Sequence, residues 1–149
     1  MGNICRSPSA EGVFKKLLDE AGLADRVRVD SAGTHAYHIS EPPDRRAQRA
    51  AKQRGIDISG LRARLFENQD FEVFDYILAM DRQNLDILMD QCPSSCEHKV
   101  DLLLNFAPHL RGRNVPDPYY GGPRGFEHVL DLLEDACGAL LESIQKNRF

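Results

Sequence analysis

The first eight residues of the chain combine groups that suit the binding of a phosphate-like anion. Residues 2–8 read Gly-Asn-Ile-Cys-Arg-Ser-Pro, in which Ser7 and Pro8 are typical of a helix start. Backbone amides that curl into a helix N-terminus form a concavity for anions, and the helix dipole favours negative charge there. The planar guanidinium of Arg6 could grip two oxygens of one anion. The alternative is that Ser7 and Pro8 only cap a helix and that Arg6 is an exposed charge.

A second candidate group lies in the Pro- and Gly-containing segment of residues 105–123. Asp117 stands there between Pro116 and Pro118, whose rings restrict where the loop can place its carboxyl group. A carboxyl group so placed could transfer a proton to or from a reacting molecule. A lone aspartate in such a segment also commonly forms a turn, so both interpretations stay open on these residues alone.

Residues 2–8 resemble the signature of the low-molecular-weight protein tyrosine phosphatases, in which a cysteine, five residues and an arginine form a phosphate cradle followed by Ser and Pro. Further blocks resemble that family in the same order: residues 30–34 (Asp-Ser-Ala-Gly-Thr), 41–44 (Glu-Pro-Pro-Asp), 79–81 (Ala-Met-Asp) and 115–122 (Val-Pro-Asp-Pro-Tyr-Tyr-Gly-Gly). The resemblance covers nearly the whole chain. It implies a cytoplasmic, cysteine-dependent hydrolase without metal or other cofactor, acting on a phosphotyrosine-containing protein or a small aryl phosphate.

The resemblance also implies a role for each site residue. Arg6 would be catalytic, and Asp117 would be the general acid that protonates the leaving phenolate and then removes a proton from water. Ser7 would donate a hydrogen bond to the attacking thiolate. Tyr37, Tyr119 and Tyr120 would line the cleft that admits an aryl ring. The phosphate-binding loop would consist of Gly2, Asn3, Ile4, Cys5, Arg6 and Ser7.

The nucleophilic cysteine of the family has no counterpart in the chain. Five residues separate this cysteine from the arginine in the family, so it would fall one position ahead of Met1. We therefore expect an N-terminally truncated domain, inactive as given although the full-length form hydrolyses phosphate monoesters through a cysteinyl-phosphate. Cys5 matches a second loop cysteine of the family, adjacent to Arg6 rather than at the centre of the cradle. The alternative is a noncatalytic phosphate or phosphotyrosine binder.

Apolar runs and helical periodicities alternate along the chain. They predict strands over residues 27–29, 76–80 and 100–104, and helices from Ser7 to about Gly22, over residues 44–54, after Asp81 and from Phe126 onward. This alternation favours a parallel α/β fold. The resemblance implies a three-layer sandwich with a four-stranded parallel sheet flanked by helices, from which the first, central strand would be absent.

Composition limits the classes of function. The 149 residues, 42% hydrophobic and 28% charged, predict one compact domain, and the resemblance implies that it is a single phosphatase domain spanning residues 1–149. A net charge of −4 disfavours a nucleic-acid partner. No apolar run approaches the length of a membrane span, so no membrane partner is expected. Four unevenly spread cysteines fit a reducing cytosol better than a disulfide framework.

Two alternatives arise from Cys92 and Cys96. Arsenate reductases of the same fold share the cradle and pass oxidation to two further cysteines, but the close spacing here and the tyrosine pair after Pro118 favour the phosphatase. With His98 the two cysteines could begin a zinc site, but the sequence offers no second pair to complete four ligands.

Overall fold

The fold alternates helices and short strands, as the sequence predicts. A computed structural model describes residues 5–36, 38–118 and 123–148. The helices are α1 (Arg6–Glu20), α2 (Arg45–Gln53), α3 (Asp70–Val73), α4 (Arg82–Gln91) and α5 (Pro123–Arg148), with 3-10 turns at Ser94–Lys99, Leu103–Phe106 and Pro108–Leu110. The described strands are β1 (Ile77–Ala79) and β2 (Val100–Leu102).

β1 and β2 form a parallel pair, with Ile77 opposite Val100 and Ala79 opposite Leu102. Helix α4 connects them, which is the crossover that parallel strands require. The two predicted apolar runs are thereby confirmed as strands, except that the end of the second run continues as a 3-10 turn. The α/β class is confirmed, whereas the described residues contain two paired strands rather than a four-stranded sheet.

Both faces of this sheet are covered, which gives the layered arrangement. Successive strand residues point to opposite faces. Leu78 and Met80 pack in the hydrophobic cluster formed mainly by α1, α2 and α5. Ile77 and Ala79 pack in a second cluster with Phe71, Leu88 and Leu102. Helices therefore lie on both sides of the β1–β2 pair.

The predicted strand at residues 27–29 is not formed as a paired strand. Val27 and Val29 are half-buried while Arg28 is exposed, so the alternation typical of a strand is present. No described strand lies close enough to pair with it, and a cavity of about 530 Å³ lies between this segment and β1. The local prediction was wrong because a strand needs a neighbour as well as suitable residues.

The start of α1 also differs from the prediction that Ser7 caps it. Helix α1 begins at Arg6, and its N-cap is Cys5, whose side chain makes no capping hydrogen bond. Pro8 fits inside the first turn because the amides of that turn have no intrahelical partner to lose. Helix α2 starts as expected, since the Asp44 side chain accepts a hydrogen bond from the amide of Arg46 at 2.8 Å.

Helix α1 packs tightly against the segment that follows α2. A Cβ atom on Gly12 would lie 2.5 Å from Cγ2 of Ile58 and 2.8 Å from Cγ2 of Ile56. Both isoleucines are buried, at 1% and 5% exposure, so neither can swing away into solvent. The absence of a side chain at position 12 thus sets the distance between α1 and this segment.

Within the described ranges, no helix combines the length and apolar character needed to cross a membrane.

We predict that Gly12→Ala lowers the free energy of unfolding by about 1–2 kcal/mol, because overpacking outweighs the gain in helix propensity. Gly138→Ala in α5 is the matched control, since nothing lies within 4 Å of its added methyl group. That control should raise the free energy of unfolding by about 0.5–1 kcal/mol. Urea unfolding of both variants measures the effect, and stabilisation by Gly12→Ala would contradict the packing described here.

Candidate active site

The first-turn amides of α1 donate no hydrogen bond to the side chain of the N-cap residue. Cys5 stands at the N-cap, with its carbonyl accepting from the hydroxyl of Ser9 at 2.7 Å and from the Ser9 amide at 3.3 Å. These two bonds fix the first turn from inside, because Ser9 is buried. The amides of Arg6 and Ser7 and the positive end of the helix dipole are thus placed to attract an anion.

Arg6 is the most constrained charged group of this region. Its side chain is only 5% exposed, and its Nη1 donates to Oδ2 of Asp81 at 2.7 Å and to the carbonyl of Val115 at 2.8 Å. Its Nε and Nη2 make no hydrogen bond to any described residue. Buried guanidinium nitrogens nearly always have partners. Nη1 is therefore fixed, while Nε and Nη2 have no partner within the described ranges.

Asp81 connects Arg6 to the start of α4. Its Oδ1 accepts from the Asn84 amide at 2.8 Å and so caps that helix, as the sequence predicts. Burial alone would raise the pKa of Asp81, but the Asn84 amide and the Arg6 guanidinium keep it below its usual range. The buried side chain of Asn84 donates to the Thr34 hydroxyl at 3.3 Å, which connects the segment after Gly33 to the same region.

The segment that carries Asp117 is fixed on both sides. Upstream, the amide of Val115 donates to the Met80 carbonyl at 2.8 Å, directly beyond the end of β1. Downstream, Pro118 is fully buried and lies against α5, where a Cβ atom on Gly125 would be 3.5 Å from its Cα. Asp117 itself is exposed. Its carboxyl group thus lies at the surface of a rigid segment whose start contacts Arg6.

The Cys5 thiol is buried and lies within the electrostatic influence of two carboxylates. Burial, followed by the charges of Asp44 and Asp117, raises the pKa of Cys5 to about 12. A thiol with this pKa is almost wholly protonated near neutral pH, and thiolate is the nucleophilic form. The electrostatic effect of Asp44 and Asp117 also shows that α2 and the Asp117 segment approach the start of α1.

The structure brings together the predicted residues that it describes. Cys5, Arg6 and Ser7 stand in sequence at the start of α1, and the backbone before Asp117 contacts Arg6 through Val115. The other predicted site residues, Gly2, Asn3, Ile4, Tyr37, Tyr119 and Tyr120, lie outside the described residues.

Sequence reasoning missed two partners of Arg6. Asp81 was interpreted only as a helix cap, and the Val115 carbonyl was not considered. The Ala-Met-Asp block at residues 79–81, which resembles the family, was the available signal that Asp81 has a further role. A helix cap requires only the aspartate, whereas the resemblance includes the two residues before it. A backbone carbonyl leaves no signal in residue types.

Cys92 and Cys96 lie away from this site. Asp81 is at the N-terminus of α4, whereas Cys92 follows its C-terminus, and a helix of ten residues is about 15 Å long. Cys96 is buried in the 3-10 turn that follows. No group of three or more metal-ligating side chains occurs in the described part of the chain.

We predict that Asp81→Asn lowers the free energy of unfolding at neutral pH by about 1–3 kcal/mol, because it leaves the buried Arg6 without its counter-ion. The depressed pKa of Asp81 means that its carboxylate stabilises the fold above the ordinary pKa of about 3.9, and that this contribution is lost as pH falls through the lower folded-state pKa. The variant should therefore lose less stability than the parent below about pH 4.

Urea unfolding across this pH range measures both effects of Asp81→Asn. Asp86→Asn, on the exposed side of the same helix, is the matched control and should leave stability unchanged. Equal stability and an equal acid dependence in Asp81→Asn and the parent would refute the role given to this ion pair.

We also predict that iodoacetamide leaves Cys5 unmodified in the folded chain near pH 8, where about one Cys5 in ten thousand would be thiolate. Cys92 is only half-buried and should react first. Peptide mapping by mass spectrometry locates the label, and full reaction in concentrated urea is the control. Labelling of Cys5 faster than Cys92 would show that Cys5 is an activated thiol after all.

The chain is similar to known proteins over its full described length. The profile of a family described as "Low molecular weight phosphotyrosine protein phosphatase" matches residues 1–149. A low molecular weight phosphotyrosine protein phosphatase of Homo sapiens is 42% identical over 95% of this chain and 90% of its own length. A low molecular weight protein-tyrosine-phosphatase of Bacillus subtilis is 39% identical over 99% of this chain and 94% of its own length.

Solved structures agree with this match. The crystal structure of a protein tyrosine phosphatase from Entamoeba histolytica, with Hepes in its active site, superposes with a TM-score of 0.95 at 40% identity. The match covers 100% of this chain and 95% of that chain. With a family profile spanning every residue and relatives at about two-fifths identity, the chain belongs to the low molecular weight phosphotyrosine protein phosphatase family.

Proposed function

We propose that this site binds the phosphate group of phosphotyrosine or of a small aryl phosphate, and that the complete site hydrolyses it. The observation that carries the proposal is Arg6, a buried guanidinium with Nη1 fixed by Asp81 and Val115 and with two nitrogens unpaired among the described residues. Two parallel donors match two oxygens of a phosphoryl group, which a single ammonium cannot do. The family supplies the substrate class, since its relatives are named as phosphotyrosine phosphatases.

The anion would be held by Arg6 together with the first-turn amides of α1. These donors are fixed before the ligand arrives, because Ser9 anchors the turn and Asp81 anchors the guanidinium. Preorganised donors accelerate a reaction when their hydrogen bonds strengthen as negative charge shifts on the equatorial oxygens. Phosphate binding and transition-state stabilisation would therefore use the same groups.

The attacking sulfur would come from a cysteine immediately ahead of Met1, where the resemblance places it. Its thiolate would attack phosphorus while the bond to the phenolic oxygen breaks, and Asp117 would give its proton to the leaving phenolate. Water would then attack the cysteinyl-phosphate as the Asp117 carboxylate accepts its proton, releasing inorganic phosphate and the thiolate. Ser7 would stabilise that thiolate, and Tyr37, Tyr119 and Tyr120 would contact the aryl ring.

Cys5 is poorly suited to replace that sulfur in the 149-residue chain. Its pKa of about 12 keeps it protonated, and it directly precedes Arg6 rather than facing the phosphoryl group from the centre of the loop. This supports a second, narrower proposal that the 149-residue chain binds phosphate without turning over a phosphate ester. Such a chain would act as a noncatalytic binder.

We predict that the 149-residue chain does not hydrolyse p-nitrophenyl phosphate, whereas a version extended ahead of Met1 by five apolar residues and a cysteine does. In the extended version, Asp117→Asn should lower kcat by about 10²–10⁴-fold, the usual range for loss of a general acid. Asp25→Asn, an exposed carboxylate on the loop after α1, is the matched control and should retain full activity.

Steady-state kinetics and intact mass together test the proposal. A phosphorylated intermediate trapped on the added cysteine would support the mechanism. Turnover by the 149-residue chain would disprove the assignment of the nucleophile, and an inactive but folded extended version that fails to bind phosphate would disprove the phosphatase proposal itself.

A further inference from the structure

The surface beside the proposed phosphate site carries a group of exposed cations. Three arginines with exposed side chains form what we call the rim patch: Arg82, Arg111 and Arg113. Arg82 is the first residue of α4 and directly follows Asp81, the carboxylate that binds Arg6. Arg113 stands two positions before Val115, whose carbonyl also binds Arg6. Both arginines therefore lie one or two residues from a group that contacts the Arg6 guanidinium.

Backbone hydrogen bonds hold the two segments of the rim patch against each other. The amide of Arg82 donates to Oδ1 of Asn114 at 2.9 Å. The amide of Val115 donates to the carbonyl of Met80 at 2.8 Å, directly beyond β1. Asn114 follows Arg113 in the chain. Arg82 and Arg113 are thus neighbours on the surface although they are distant in sequence.

The guanidinium groups of the rim patch lack an anionic partner in the part of the chain that the structure describes. None of the three makes a hydrogen bond or ion pair to a described residue. By contrast, Arg46 pairs with Asp44, and Arg54 binds three carboxylates of α5. Arg82 also stands at the positive end of the α4 dipole, where a cation is disfavoured. Local stability therefore does not account for its charge.

We propose that the rim patch binds acidic side chains that flank the phosphotyrosine of a protein substrate, and that it thereby selects acidic sequences for this site. The inference rests on the proposed function, since Arg6 would hold the phosphate. Consecutive residues of an extended peptide are about 3.5 Å apart, so a glutamate one to three positions from the phosphotyrosine is displaced by about 3–11 Å. That range suits arginines whose backbones lie one or two residues from groups that contact Arg6.

Charge complementarity favours an acidic peptide as the occupant. The planar fork of an arginine matches the two oxygens of a carboxylate. The chain has a net charge of −4, so its surface as a whole repels an acidic peptide and a local basic patch decides where one can bind. Nucleic acids and anionic membranes are bound by larger basic clusters than three arginines.

The test compares two fluorescently labelled phosphopeptides. One is Glu-Glu-Ala-pTyr-Ala-Glu-Glu, and the other has Gln in place of each Glu. Fluorescence anisotropy measures their affinity for the 149-residue chain at about 20 mM salt, where exposed charges are weakly screened. We expect the acidic peptide to bind about three- to tenfold more tightly, as a few exposed ion pairs allow. This preference should shrink at about 0.5 M salt.

A pair of double variants tests the location. Arg82→Gln combined with Arg113→Gln should remove the preference for the acidic peptide. Lys52→Gln combined with Lys146→Gln is the matched control, because it also removes two positive charges, from exposed side chains in the last turns of α2 and α5, and it should keep the preference. An equal loss in both double variants would overturn the proposal, because it would show an effect of net charge alone. Equal affinity of the parent for the two peptides would overturn it directly.

Unphosphorylated forms of both peptides separate this inference from the proposed function. If phosphorylation does not strengthen binding, the proposed phosphate site fails. The rim patch is then supported if the unphosphorylated acidic peptide still binds more tightly than its Gln counterpart and loses that advantage in the Arg82→Gln and Arg113→Gln double variant. The inference fails as well if the unphosphorylated acidic peptide has no such advantage.

Discussion

The pair of hydrogen bonds donated by Nη1 of Arg6 holds together the segments around the proposed anion site. They join three segments that are distant in sequence, since Asp81 lies 75 positions and Val115 lies 109 positions beyond Arg6. Through Asp81 the guanidinium is connected to the N-terminus of α4, and through Val115 to the segment that carries Asp117. A buried cation needs a counter-ion, so these segments must stay together for α1 to fold with Arg6 inside. The structural constraint and the proposed binding function thus depend on different nitrogens of the same guanidinium.

Charge is distributed unequally over the site. The positive end of α1 and the guanidinium of Arg6 favour a dianion, whereas burial, followed by the charges of Asp44 and Asp117, disfavours the thiolate form of Cys5. The proposed site would therefore stabilise the oxygens of a bound phosphate while its own thiol stays neutral. In the proposed function, different groups bind the anion and attack it, and the described residues would do only the binding.

Local features were predictable from sequence, and long-range contacts were not. The cap of α4 by Asp81 followed from residue type, and the apolar run at Ile77 gave β1, because both depend on neighbours in the chain. The contact between Arg6 and Asp81 depends on how α1 and α4 approach one another, which no local pattern encodes. Residues 27–29 have the composition and alternation of a strand, yet pairing requires a partner.

The central claim is that Arg6 and the first turn of α1 form a preorganised phosphate site. Titration of inorganic phosphate into isotopically labelled chain, followed by NMR, tests it directly. The account predicts saturable shifts concentrated at the amides of Cys5, Arg6 and Ser7 and at the guanidinium of Arg6. Shifts spread over surface lysines and arginines, with none at Arg6, would contradict it.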